Sequence, residues 1–90
     1  MGRLSGKVVA ITGASSGLGA VLAAVCAGEG ARLSLFARNA EKLAETARAC
    51  QEAGGEALVV VGDVTRPEDG QRLVAETAER YGRIDYLIAN

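Results

Sequence analysis

Four short apolar runs alternate along the chain with three longer segments in which apolar positions recur every three or four residues. Lys7-Val8-Val9-Ala10-Ile11 is β-branched and apolar after its lysine, and predicts a strand buried on both faces. Leu33 to Ala37, Ala57 to Val61 and Tyr86 to Ala89 have the same character, without polar alternation, and predict three more strands. Between them lie three helical patterns. In the first, Leu18, Val21, Leu22, Val25 and Cys26 fall at i, i+3, i+4, i+7 and i+8, an amphipathic stripe expected to face inward. Gly30 then supplies a left-handed stop. The second pattern runs from about Ala40 to Ala53, with Asn39 as cap, Leu43, Ala47 and Cys50 inward, and Gly54-Gly55 as its end. The third begins around Thr65 and Pro67, carries Glu68 and Asp69 in its first turn, presents Leu73, Val74, Thr77 or Ala78, and Tyr81, and ends at Gly82.

The order β-α-β-α-β-α-β calls for an α/β fold with a parallel sheet, because strands that alternate with helices of this length are joined by crossovers. Those crossovers are right-handed, and the expected strand order is 3-2-1-4: a partial, doubly wound, Rossmann-type sheet. The first two helices then cross on one face and the third on the other. That leaves the second face largely bare and the fourth strand an apolar edge. Residues 1–90 therefore read as the N-terminal part of a single nucleotide-binding domain, either a fragment of a longer enzyme or a chain completed by a partner or by self-association.

Between the first strand and first helix stands Thr12-Gly13-Ala14-Ser15-Ser16-Gly17-Leu18-Gly19. A turn of this kind leaves backbone N–H groups unpaired at a helix N-terminus, where the helix dipole also favours an anion. Gly13 allows the tight turn, Gly17 lets the backbone approach a pyrophosphate without a Cβ, and Gly19 allows close packing. Ser15 and Ser16 add hydroxyl donors. The spacing is T-G-x-x-x-G-x-G and not the general G-x-G-x-x-G, so its weight comes from its place inside a βαβ unit.

The end of the second strand bears on which nucleotide fits. A carboxylate there would accept both ribose hydroxyls and select NAD. This chain has Ala37 followed by Arg38, whose guanidinium suits a phosphate dianion and cannot accept. NADP(H) is therefore expected over NAD(H), the plainer reading being an ordinary surface arginine. The missing carboxylate also argues against an S-adenosylmethionine site. Asp63, past the third strand, can accept from the adenine amino group with Val64 beside the ring, or can simply form a turn after Gly62.

Composition narrows the field further. Of 90 residues 49% are hydrophobic, so the chain forms a core. Ten basic and eleven acidic residues give a net charge of −1 with no basic stripe, which argues against nucleic acid. No apolar run approaches the roughly 20 residues of a membrane span, and the N-terminal apolar stretch is too short for a signal peptide, so no membrane anchor and a cytoplasmic site are expected. Cys26 and Cys50 form no C-x-x-C, and there is no histidine, so no metal site is expected.

Taken together, the glycine-rich turn, the Asp63-Val64 pair and Ile84-Asp85-Tyr86-Leu87-Ile88-Ala89-Asn90 resemble the short-chain dehydrogenase/reductase family over the whole chain. The resemblance implies an oxidoreductase that moves hydride between NADP(H) and a carbonyl or alcohol substrate, and a homo-oligomer at full length. It implies that Leu18 offers its N–H to the pyrophosphate, that Arg38 meets the 2′-phosphate, that Asp63 and Val64 line the adenine, and that Asn90 supports the adenosine ribose and the central strand. Ala89 stands where the family more often has Asn. The family's catalytic set pairs Tyr and Lys as Y-x-x-x-K, but here Asp85 follows Tyr81 and Asn90 follows Tyr86 at that spacing, and the only lysines are Lys7 and Lys42. No catalytic residue is assigned. The 90 residues alone are expected to be inactive, and a non-catalytic dinucleotide-binding module, or a fold that binds nothing, is the reading from another class.

Overall fold

The computed structural model describes residues 2–90. β1 (Val8–Thr12), α1 (Gly17–Gly28), β2 (Arg32–Ala37), α2 (Ala40–Glu52), β3 (Glu56–Val61), α3 (Pro67–Tyr81) and β4 (Tyr86–Ile88) follow one another along the chain. The four strands form one parallel sheet in the order β3-β2-β1-β4. Register brings Ile11 level with Leu35 and Ile88, and Leu35 level with Val59. This is the expected 3-2-1-4 arrangement, with the crossovers supplied by the three helices.

Alternation along the strands divides the core in two. Val9, Ile11, Leu33 and Leu35 point to one face, where they pack with Ala23 and Ala27 of α1 and Leu43, Ala47 and Cys50 of α2. Phe36 and Val60 point to the other, against Leu73 of α3. On that second face Ser34 is buried, and its hydroxyl is hydrogen-bonded to Thr77 at 2.8 Å. Thr77 also donates to the Leu73 carbonyl at 2.6 Å. The pair satisfies two polar groups that would otherwise be costly to bury.

The helix ends follow local chemistry. Asn39 caps α2 by accepting the Lys42 N–H at 3.0 Å. Pro67 opens α3 just after Arg66, one position later than a Thr65 cap would put it, because Thr65 is engaged with Asp63. Gly82 closes α3 with φ of 81°.

The inward face of α1 departs from the periodicity. Leu18, Val21 and Val25 are 64%, 58% and 57% exposed, and Gly19, Ala23 and Ala27 are buried instead. Leu22 and Cys26 lie between, partly buried against the core. The helix is apolar nearly all round, so periodicity alone cannot choose its face. Space chooses it: a Cβ at Gly55 would sit 2.8 Å from the Ala27 Cβ, so only small side chains fit where α1 meets the β3 entry. α3 departs less. Leu73 and Thr77 are buried as expected, but Val74 is 49% exposed and Ala78 faces outward. Val74 borders a shallow apolar groove of about 200 Å³ beside Phe36, Leu73 and Leu87, on the face that α3 covers only in part.

Candidate functional site

The turn after β1 is built around two glycines with positive φ, Gly13 at 64° and Gly17 at 58°, conformations that a side chain would strain. The Ala14 N–H donates to the Phe36 carbonyl at 3.2 Å and pins the turn to β2. Gly19 is needed for a different reason. A Cβ there would lie 2.1 Å from the Gly13 carbonyl oxygen and 2.8 Å from Nδ2 of Asn90. That Nδ2 donates to the Gly13 carbonyl, and the Asn90 N–H donates to Thr12 Oγ1, each at 3.2 Å. The end of β4 is thereby tied to the turn.

Ser16 stands at the N-cap of α1 with the extended backbone of a capping residue, yet its hydroxyl makes no capping bond. No acid occupies the first turn. The N–H groups of Ser16, Gly17 and Leu18 donate to no described residue. Helix starts normally acquire a side-chain partner for such groups, as α2 does from Asn39. Uncapped donors and the positive end of the helix dipole together give this turn the electrostatics of an anion site.

Beside it opens a cleft of about 590 Å³. Gly13 and Ser15 line it from the turn, Ala37, Arg38 and Asn39 from the end of β2, Gly62 and Val64 from the end of β3, and Asn90 from the end of β4. All four strands contribute at their carboxyl ends, where ligands bind in open parallel sheets. Arg38 is exposed and forms no ion pair or hydrogen bond with any described residue. Ala37 closes β2, so that strand's carboxyl end carries no acid.

Asp63 lies between Gly62 and Val64, with one carboxylate oxygen turned to Thr65. Oδ1 accepts the Thr65 N–H at 2.9 Å and its hydroxyl at 2.7 Å. Asp63 in turn donates its N–H to Asp69 at 2.9 Å. The Thr65 bonds, aided by the nearby Arg38 charge, hold the Asp63 carboxyl below the usual carboxylate range. It is thus a turn-forming residue that stands between Gly62 and Val64 and does not itself line the cleft.

Of the residues expected from sequence, Gly13, Ser15, Arg38, Val64 and Asn90 line the cleft. Ser16, Gly17 and Leu18 continue from it into the exposed first turn of α1, and Gly19 is buried behind it. Asn39 and Gly62 line it without having been assigned to it from sequence. Asn39 was legible only as a cap, and Gly62 only as a loop residue, although a Cβ there would come within 2.6 Å of the Phe36 ring. The thiols lie elsewhere: Cys50 is buried in the core with Cys26 against it, and burial pushes Cys50 up to about 11. Among the described residues no helix is long and apolar enough to cross a membrane.

The family profile for short chain dehydrogenases matches residues 7–90. An uncharacterized oxidoreductase of Listeria innocua is 42% identical over 87 residues, 97% of this chain and 35% of that protein. The 11-beta-hydroxysteroid dehydrogenase 1A of Arabidopsis thaliana is 47% identical over 98% of this chain and 26% of its own length. Among solved structures, carveol dehydrogenase from Mycobacterium avium in complex with NAD superimposes with a TM-score of 0.94 at 30% identity, covering 100% of this chain and 37% of that one. Glucose dehydrogenase of Caenorhabditis elegans in the apo form gives 0.93 at 35% identity, over 98% of this chain and 38% of that one. The chain spans about a third or less of the length of these curated relatives. With its sheet order, its glycine turn and this match, the chain belongs to the short chain dehydrogenase family.

Proposed function

We propose that these 90 residues hold the adenosine-diphosphate end of NADP(H) within an oxidoreductase that transfers hydride between that cofactor and a carbonyl or alcohol substrate. The observation that carries the reading is the uncapped start of α1 opening beside a cleft whose β2 end offers a free guanidinium and no acid. Bridging phosphates meet the N–H groups of Ser16, Gly17 and Leu18, with the hydroxyls of Ser15 and Ser16 to hand. Arg38 pairs with the 2′-phosphate, Asp63 and Val64 flank the adenine, and Asn90 supports the ribose side while holding Gly13. The cofactor supplies the hydride.

Nothing in these residues supplies the proton that carbonyl reduction needs near the developing oxyanion. Tyr81 donates its hydroxyl to the Leu33 carbonyl at 3.0 Å, at the amino end of β2 and away from the cleft. Tyr86 opens β4 at the same amino-terminal edge, level with Val9. The proton donor and the substrate pocket therefore belong to residues outside this chain, and alone it acts as a dinucleotide-binding module. Titration of the chain with NADPH and with NADH, followed by calorimetry, tests the reading. Tighter binding of NADPH is expected. Equal affinities would remove the role of Arg38, and binding of neither would overturn the site.

A further inference from the structure

The β3 side of the cleft is held from behind by α3. Gly62 and Val64 line the cleft, and Asp63 joins them. Packing does little to fix this segment, since Val64 is largely exposed. Its peptide groups are bonded instead. The Gly62 N–H donates to the Ala37 carbonyl at 3.0 Å, a bond that ties it to β2. Two further bonds come from side chains of α3. Oδ2 of Asp69 accepts the Asp63 N–H at 2.9 Å, and Nη2 of Arg72 donates to the Val61 carbonyl at 2.6 Å. The two side chains also pair with each other, Arg72 Nη2 to Asp69 Oδ1 at 3.5 Å. Gly62 fits closely between its neighbours: a Cβ there would lie 2.6 Å from the Phe36 ring and 3.1 Å from Arg72 Nη2.

Helix capping does not account for this use of Asp69. It is the third residue of α3, a position from which an acid ordinarily reaches back to the N–H of the cap residue. Here the carboxylate passes over the cap residue, Arg66, whose N–H goes to the Asp63 carbonyl at 3.0 Å. It binds the cleft segment three residues further back. We propose that Asp69 and Arg72 are positioning residues for nucleotide binding, a clamp on α3 that presets the segment from Val61 to Val64. The inference rests on the dinucleotide reading above and deepens it. Neither side chain lines the cleft, so both act through the backbone they hold. A segment ordered in advance spares the ligand the entropy of ordering it on binding.

The test separates the clamp from general stability. Asp69→Asn keeps an oxygen for the Asp63 N–H, and Asp69→Ala removes it. The free chain is read by NMR-detected amide hydrogen exchange. Asp69→Ala is expected to speed exchange at the Asp63 amide about tenfold, with β1 amides unchanged and Asp69→Asn close to wild type. Binding of NADPH is read by calorimetry, well below the melting temperature of each variant, where a loss of stability alone leaves affinity unchanged. Asp69→Ala and Arg72→Ala are each expected to bind NADPH about tenfold more weakly, the scale of one hydrogen bond to a charged group, and Asp69→Asn to restore wild-type affinity. If Asp69→Ala does not fold, Arg72→Ala, at a half-exposed side chain, carries the same comparison. If wild type binds NADPH and the alanine variants bind it as tightly, the clamp does not serve binding, and the proposal is overturned while the dinucleotide reading stands. Unchanged exchange at Asp63, or a loss of affinity in Asp69→Asn equal to that in Asp69→Ala, would also overturn it. If wild type does not bind NADPH, the dinucleotide reading falls and this inference falls with it.

Discussion

The carboxylate of Asp85 accepts the backbone N–H of Val8 at 2.8 Å, joining residues 77 positions apart. The Asp85 N–H returns a bond to the Val8 carbonyl at 2.9 Å, so the entry to β4 grips the first residue of β1 from both sides. Arg83 holds the same carboxylate at 2.6 Å. The Val8 bond first, and Arg83 second, keep the Asp85 carboxyl below its usual value. A carboxyl lowered in the folded state contributes stability that is present above the ordinary value of 3.8 and is lost as pH falls through the lowered one. Asp85→Ala is therefore expected to melt below wild type at neutral pH, with the gap narrowing in the acid range below 3.8. Melting curves of both proteins across that range check it, and a gap that stays constant with pH would show that the charge is irrelevant.

Two glycines in α1 give opposite expectations. At Gly19 a Cβ would collide with the Gly13 carbonyl at 2.1 Å, and at Gly28 it would meet nothing within 4 Å. Gly19→Ala is expected to destabilise by about 1–3 kcal/mol, the usual cost of overpacking. Gly28→Ala is expected to stabilise by about 0.4–1 kcal/mol through the unfolded chain. Urea unfolding of the two variants measures both.

Arg38 stands free beside the cleft, next to Ala37. In the proposed function, Arg38→Asp replaces a phosphate partner with a ribose acceptor. Cofactor preference is expected to swing toward NADH by about 1.5–3 kcal/mol, the range for a hydrogen bond to a charged group. Competitive titration of NADPH against NADH reads the swing directly, and an unchanged ratio would contradict the phosphate assignment.

The two apolar faces of α1 can be told apart by substitution. Ala27 is 1% exposed, and the space beside it at Gly55 is closed. Ala27→Leu is expected to cost about 1–3 kcal/mol or more. Val25 is 57% exposed in this chain, and Val25→Thr is expected to change stability by no more than about 0.5 kcal/mol. Denaturant midpoints of the two variants decide between the observed face and the one that periodicity suggests.

Much of this was legible from residues that act locally. Asn39, Gly54, Pro67 and Gly82 bound their helices because caps and left-handed stops depend on a few neighbouring atoms. The unbroken β-branched runs mark strands covered on both sides, and their alternation with helices leaves few sheet orders to choose from. The turn Gly13 to Gly19 announced itself by a concentration of glycine that no ordinary connection requires.

Sequence by itself determined the element order, the parallel sheet, the glycine-rich turn and the missing acid at Ala37, since each is written within a span of residues that interact directly. Tertiary structure alone decided which face of α1 is buried and that Asp85 clasps Val8. Those outcomes depend on the space and partners that distant segments present, as Gly55 does to Ala27 and β4 does to β1, and no local pattern records them.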